Sequence, residues 1–134
     1  MWATLGQPNR AEQIAHAVTN PVQRAGALAG VAGAVAATGD YQRARQLATD
    51  AEQLARTLTT PGWRAWALAE VVKAVAAIGE HEWARQLATD AEQLARTIID
   101  PYPRVGALAD VVKAMTAIGE HEWARQLATD AEQL

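Results

Sequence analysis

The 134-residue chain contains no cysteine, no phenylalanine and no serine. Without cysteine there are no disulfides, no thiolate metal ligands and no cysteine nucleophile, a composition that suits the reducing cytoplasm. Without serine the commonest hydroxyl nucleophile is gone as well, and no glycine-rich phosphate loop is present. Half of the residues are apolar, but alanine dominates them. A core built this way is thin, with helix axes close together and little area buried by each side chain. Charge of one sign is also missing. The net charge is −3 with no block of like charges, so the footprint of a nucleic-acid binder is absent. The apolar run 25–37 is too short to span a membrane and holds three glycines. No charged leader with a cleavage pattern stands before it.

What the chain does have is repetition. The string RQLATDAEQL occupies residues 45–54, 85–94 and 125–134. Pro21, Pro61 and Pro101 keep the same forty-residue period, as do Gly39, Gly79 and Gly119. A fixed period in this range marks a repeat architecture. The expected units are 11–50, 51–90 and 91–130, followed by a partial helix to 134, in one domain spanning 11–134. Residues 1–10 fit nothing in the period and read as a cap or a disordered start. Ala11 to Thr19 match the back half of a second helix, with Pro8 cutting off its front half. About three repeats is near the minimum for a stable stack, because each unit packs only on its neighbours.

Within a repeat, Thr60-Pro61 predicts an N-cap followed by proline in the first turn, where the missing N–H costs nothing. Asn20-Pro21 and Asp100-Pro101 repeat the device. Leu68, Val71, Val72, Val75 and Ile78 then follow one helical face, and Gly79 ends the helix in a left-handed conformation. A second helix begins at once, with Ala84, Leu87, Ala88, Ala91, Leu94, Ala95 and Ile98 on its apolar face. The pairs Glu52/Arg56 and Glu92/Arg96 are spaced for solvated i,i+4 support. Connections this short lay the two helices antiparallel. The expected fold is all-α, with seven helices.

The string Gly39-Asp40-Tyr41-Gln42-Arg43-Ala44, followed by Ala48 and Ala51, resembles the second half of a tetratricopeptide repeat. Ahead of the glycine, Leu28, Val31, Ala32 and Val35 match the family's large–large–small–large pattern. So do Leu68, Val71, Val72 and Val75, and Leu108, Val111, Val112 and Met115. The resemblance covers about residues 11–134, and it extends to long alanine-rich arrays of multidomain bacterial signalling proteins. Two departures stand out. The period exceeds the family's usual one of about 34 residues, and His81 and His121 replace the turn aromatic. HEAT-type repeats have a period nearer to this one and are the structural rival. The resemblance implies a right-handed α-solenoid of antiparallel helix pairs, with first helices lining a concave face that takes a protein or peptide partner. On that face the family's positions for a carboxylate clamp are mostly alanine and glycine here, so binding of a chaperone's C-terminal tail is not supported.

The sequence points to no catalytic residue, cofactor or metal site. His81 and His121 stand one repeat apart, on helices expected about 8–10 Å from each other, whereas ligands of one metal lie ~2 Å from it. Asp50, Asp90 and Asp130 recur in one register and read as a polar helix face. Trp83 and Trp123 border the core face and are expected to pack between second helices. Trp63 reads as covering a loop. Trp66 differs, since it lies nearly opposite Leu68 and Val72 while its equivalents are Gly26 and Gly106. An aromatic on a non-core face is a candidate anchor. With Glu70, Lys73, Asp110 and Lys113 it forms the expected partner-binding face. The chain's final segment repeats an internal one, so Trp123, Leu127 and Leu134 are expected on an uncovered end, able to associate with another copy. The expected function is a non-catalytic protein-interaction scaffold; the alternative is a self-assembling or engineered consensus solenoid.

Overall fold

A computed structural model of the chain describes residue 10 and residues 12–132. Pro8, Ala11 and Leu134, which carry the expected start and the last partial helix, lie outside the described residues. Those residues are all-α. A short helical stretch over 12–17 (α1) precedes α2 (Pro21–Ala37), α3 (Tyr41–Thr57), α4 (Pro61–Ile78), α5 (His81–Arg96), α6 (Pro101–Ala117) and α7 (His121–Glu132). No strand occurs among them, and none of these helices is long and apolar enough to cross a membrane.

The glycine turns form as the period requires. Gly39, Gly79 and Gly119 have φ of 92°, 90° and 81°, in the left-handed region that glycine enters without a steric penalty. The amide of Glu80 donates back to the carbonyl of Val75, and that of Glu120 to Met115, satisfying carbonyls that a helix end leaves open. The N-caps are less uniform than expected. Asn20 Oδ1 accepts from the amides of Val22 and Gln23, and Asp40 accepts from Arg43. Thr60 and Asp100 hold the extended N-cap backbone, yet neither side chain makes a capping bond. Proline in the first turn has already removed one of the donors that such a cap would serve.

The first helix of each pair is central and the second is peripheral. Helix α4 packs on α2, α3, α5 and α6. With neighbours on so many sides it buries Ala65, Ala67, Ala69 and Ala74 in addition to the expected Leu68, Val71, Val72 and Val75. A helix apolar around most of its girth is a buried one, and its alanines let the neighbours approach closely. Helix α5 buries only one stripe, made of Ala84, Leu87, Ala88, Ala91 and Ala95, and turns Arg85, Gln86 and Gln93 outward. Among α2–α7, helices that pack together are never more than two places apart in the chain.

Bonds at constant spacing tie each second helix to the next. The indole N–H of Trp83 donates to Glu52 at 2.9 Å, and that of Trp123 to Glu92 at 2.6 Å. At the equivalent place one repeat earlier, Arg43 pairs with Glu12. Arg56 reaches Asp90 at 2.8 Å and Arg96 reaches Asp130 at 2.9 Å. The Glu52/Arg56 and Glu92/Arg96 pairs form as expected, but the same arginines also bridge onward. The recurring aspartates at 90 and 130 are thus links between helices as well as a polar face. Exposed pairs of this kind are worth about 0.2–1 kcal/mol each, so they fix register more than they add stability.

Candidate binding groove

Two tryptophans three residues apart on one helix are neighbours on its surface. In α4 these are Trp63 and Trp66, whose ring centroids lie 5.9 Å apart at 89°, the edge-to-face arrangement that aromatic quadrupoles favour. Trp66 is half-buried. Its ring lies against Gly26 of α2, so closely that a Cβ at position 26 would stand 2.6 Å from its Cη2. Gly26 therefore serves as the seat of an indole, and Trp66 fills the seam between α2 and α4.

Forty residues on, the same position is Gly106, and a Cβ there would meet nothing within 4 Å. The seam between α4 and α6 is left open. A cavity of about 260 Å³ remains between α2 and α4, lined by Val22, Leu58 and Trp63 among others. The corresponding groove between α4 and α6 measures about 650 Å³. Its lining includes Trp63, Trp66, Ile98, Ile99, Pro103 and Gly106. Gly62 stands on its wall where the narrower seam has Val22. Two glycines in place of side chains thus open a groove of the size and apolar lining that binding sites have.

The ionisable groups on the groove's lining carry one sign. Among the residues that line it, Asp100 and Asp110 are the ionisable ones, and both are acids. Burial pushes the Asp110 carboxyl above the usual aspartate range; Lys113 opposes this, Glu70 adds to it and Lys73 opposes it. Lys73 itself pairs with Glu70 at 3.1 Å.

Of the five residues expected on the partner-binding face, two line the groove and three stand outside its lining. Trp66 and Asp110 line the groove, and Glu70, Lys73 and Lys113 act on the Asp110 carboxyl. Trp63, Ile98 and Ile99 escaped the sequence reading. Trp63, taken for a loop cover, is 52% exposed and lines the groove. Ile98, assigned to the apolar face of the second helix, lines it with Ile99. Gly106 contributes by having no side chain. The signal available in the sequence was the triplet Gly26/Trp66/Gly106, in which the second glycine leaves open space beside Trp66.

The expected end surface is placed differently. Leu127 is 1% exposed, and Trp123 is half-buried and bonded to Glu92, because α7 lies over α6 with its apolar stripe inward. Leu134 is outside the described residues. Among the described residues the large apolar groups that stand free in this part of the chain are Ile99, 92% exposed, and on α6 Tyr102, 90%, and Val105, 41%. The equivalents of Val105, namely Ala25 and Ala65, are fully buried. His81 and His121 are exposed, and no group of three potential metal ligands converges among the described residues. Compared with known protein families, with curated proteins and with solved structures, the chain matches none of them.

Proposed function

We propose that this chain is a non-catalytic protein-interaction scaffold, a tetratricopeptide-like right-handed α-solenoid whose open seam between α4 and α6 receives a peptide segment of a partner protein in the cytoplasm. The forty-residue period of helix starts, the positive-φ glycine turns and the packing of each helix on near neighbours support the architecture. One observation carries the function: the groove of about 650 Å³, walled by two tryptophans and unfilled where the preceding seam holds an indole. Selection of a displayed peptide library against the wild-type chain, and in parallel against Gly106→Trp, tests this. Enrichment on the wild type that is lost in the variant is the expected outcome. The absence of any enriched peptide, or equal enrichment on both proteins, overturns the reading.

A second reading has its own observation. Val105 and Tyr102 present an apolar surface on α6, and the equivalents of Val105 in the earlier repeats, Ala25 and Ala65, are fully buried. This favours association of one copy with another, head to tail or about a two-fold axis. Light scattering over a wide concentration range should then show a mass that rises with concentration and falls back in Val105→Glu. A constant monomer mass would exclude it.

A further inference from the structure

We propose that the α4–α6 groove selects a partner segment in which a tryptophan side chain is accompanied by an arginine, the ring filling the vacancy above Gly106 and the guanidinium meeting the Asp110 side of the groove. This rests on the scaffold reading and names the chemistry of its ligand.

Shape is the first argument. One seam earlier the corresponding space is occupied by the indole of Trp66, and the residual cavity there is less than half as large. In the open seam position 106 supplies no ring, and the residue on the facing helix is Trp66 instead of a glycine, so a guest ring there meets an indole in place of bare backbone. A guest ring entering it meets Trp63 and Trp66 at right angles to each other. Ring faces and edges are both favourable partners for a guest ring, and a ring face is one for a cation.

Charge is the second argument. Among the described residues the ionisable groups lining the groove are the acids Asp100 and Asp110, with Lys113 and Lys73 acting on Asp110 from outside the lining. Asp110 loses solvation there, and Lys73, one of the two lysines acting on it, is already paired with Glu70. A donor arriving with the guest offsets that desolvation, whereas an acidic guest deepens it.

The molecule's own seams supply the third argument. At positions 43, 83 and 123 the residue is Arg, Trp and Trp, and in each case the side chain donates to the glutamate at 12, 52 or 92. An indole and a guanidinium are thus interchangeable partners for a carboxylate between packed helices in this fold. The open groove presents the same kind of carboxylate beside an unfilled ring site.

Three dipeptides test the proposal: N-acetyl-Trp-Arg-amide, N-acetyl-Trp-Glu-amide and N-acetyl-Ala-Arg-amide, each titrated into ¹⁵N-labelled protein. The indole N–H resonances of Trp63 and Trp66 report the groove, and those of Trp83 and Trp123 serve as internal controls. The Trp-Arg probe should shift the first pair saturably and bind at least about tenfold more tightly than either other probe, the scale of one charge-assisted bond or one stacked ring. Gly106→Trp should abolish the shifts. Asp110→Asn, a change at a half-buried position that leaves the apolar packing intact, should bring the Trp-Arg affinity down toward that of Trp-Glu. Equal affinity for Trp-Glu, unchanged binding in Asp110→Asn, or no shift at millimolar Trp-Arg would each overturn the proposal. So would peptides from the library selection that compete for the groove yet lack both an aromatic and a base, and in that case the scaffold reading survives alone. A protein mass that rises with concentration and closes the groove to all three probes would assign it to a second copy instead.

Discussion

The ring of Trp66 occupies the space that any side chain at position 26 would need: a Cβ on Gly26 would stand 2.6 Å from Cη2. The two residues form one packing unit across α2 and α4. Gly26→Ala is expected to cost about 1–3 kcal/mol in overpacking, partly offset by the gain of roughly 0.5–1 kcal/mol that alanine brings to a helix interior. Gly106→Ala, with open space at its Cβ, should show the gain alone. Urea denaturation of both variants should therefore separate them by about 1–3 kcal/mol, with Gly106→Ala the more stable. In a Trp66→Ala background the difference should shrink, because the clashing ring is gone. If the two alanine variants are equally stable, the seat at Gly26 is not tight.

The helix pairs were legible because their punctuation is local: proline opens α2, α4 and α6, and glycine enters the left-handed region at 39, 79 and 119. The stripe of α5 followed directly from spacing. Periodicity underestimated α4, since a helix surrounded by others has no single buried face, and Ala67 and Ala69 gave no contrast against which to see one. Trp66 stood out because its equivalents are glycine. Trp63 did not, since position along a helix says little about a groove that takes form only when α6 docks beside α4. The burial of Leu127 was missed for the same reason, as it depends on α7 folding back over α6.

Gly79 has φ of 90° with nothing near its Cβ, so only backbone conformation opposes a side chain there. Gly79→Ala should destabilise the chain by about 1–2 kcal/mol, the cost of a left-handed alanine. Gly79→Asn should lose less, because asparagine tolerates this region better. Thermal melts followed by circular dichroism would measure both, and an alanine variant as stable as the wild type would argue against the turn.

Exposure orders the tryptophans. Trp63 is 52% exposed, whereas Trp66, Trp83 and Trp123 are half-buried. Acrylamide quenching should fall most in Trp63→Leu and less in Trp66→Leu, and least in Trp83→Leu, whose indole is bonded to Glu52. A larger loss in Trp83→Leu than in Trp63→Leu would contradict the seating of the Trp83 indole on Glu52 of α3.

Two aspartates should respond to pH with opposite signs. Asp130 is held below the usual aspartate range chiefly by its bond to Arg96; desolvation opposes this, and the bond from Gln126 and the charge of Arg96 add to it. Its folded-state pKa is lower than its unfolded one, so its stabilising contribution is present above the ordinary aspartate pKa of about 4 and is lost as the pH falls below it. Asp110 is shifted upward, chiefly by burial. Folding favours its protonated form, so its contribution is most favourable below the ordinary aspartate pKa and is lost as the pH rises through the elevated value. Asp130→Asn should accordingly be less stable than the wild type at pH 7 and converge with it in acid. Asp110→Asn should be at least as stable as the wild type at pH 7, and its advantage should vanish in acid. Urea midpoints measured from pH 3 to 7 would show both trends. An Asp110→Asn variant that is weaker than the wild type at pH 7 would mean that Lys113 and Lys73 outweigh burial at this carboxyl.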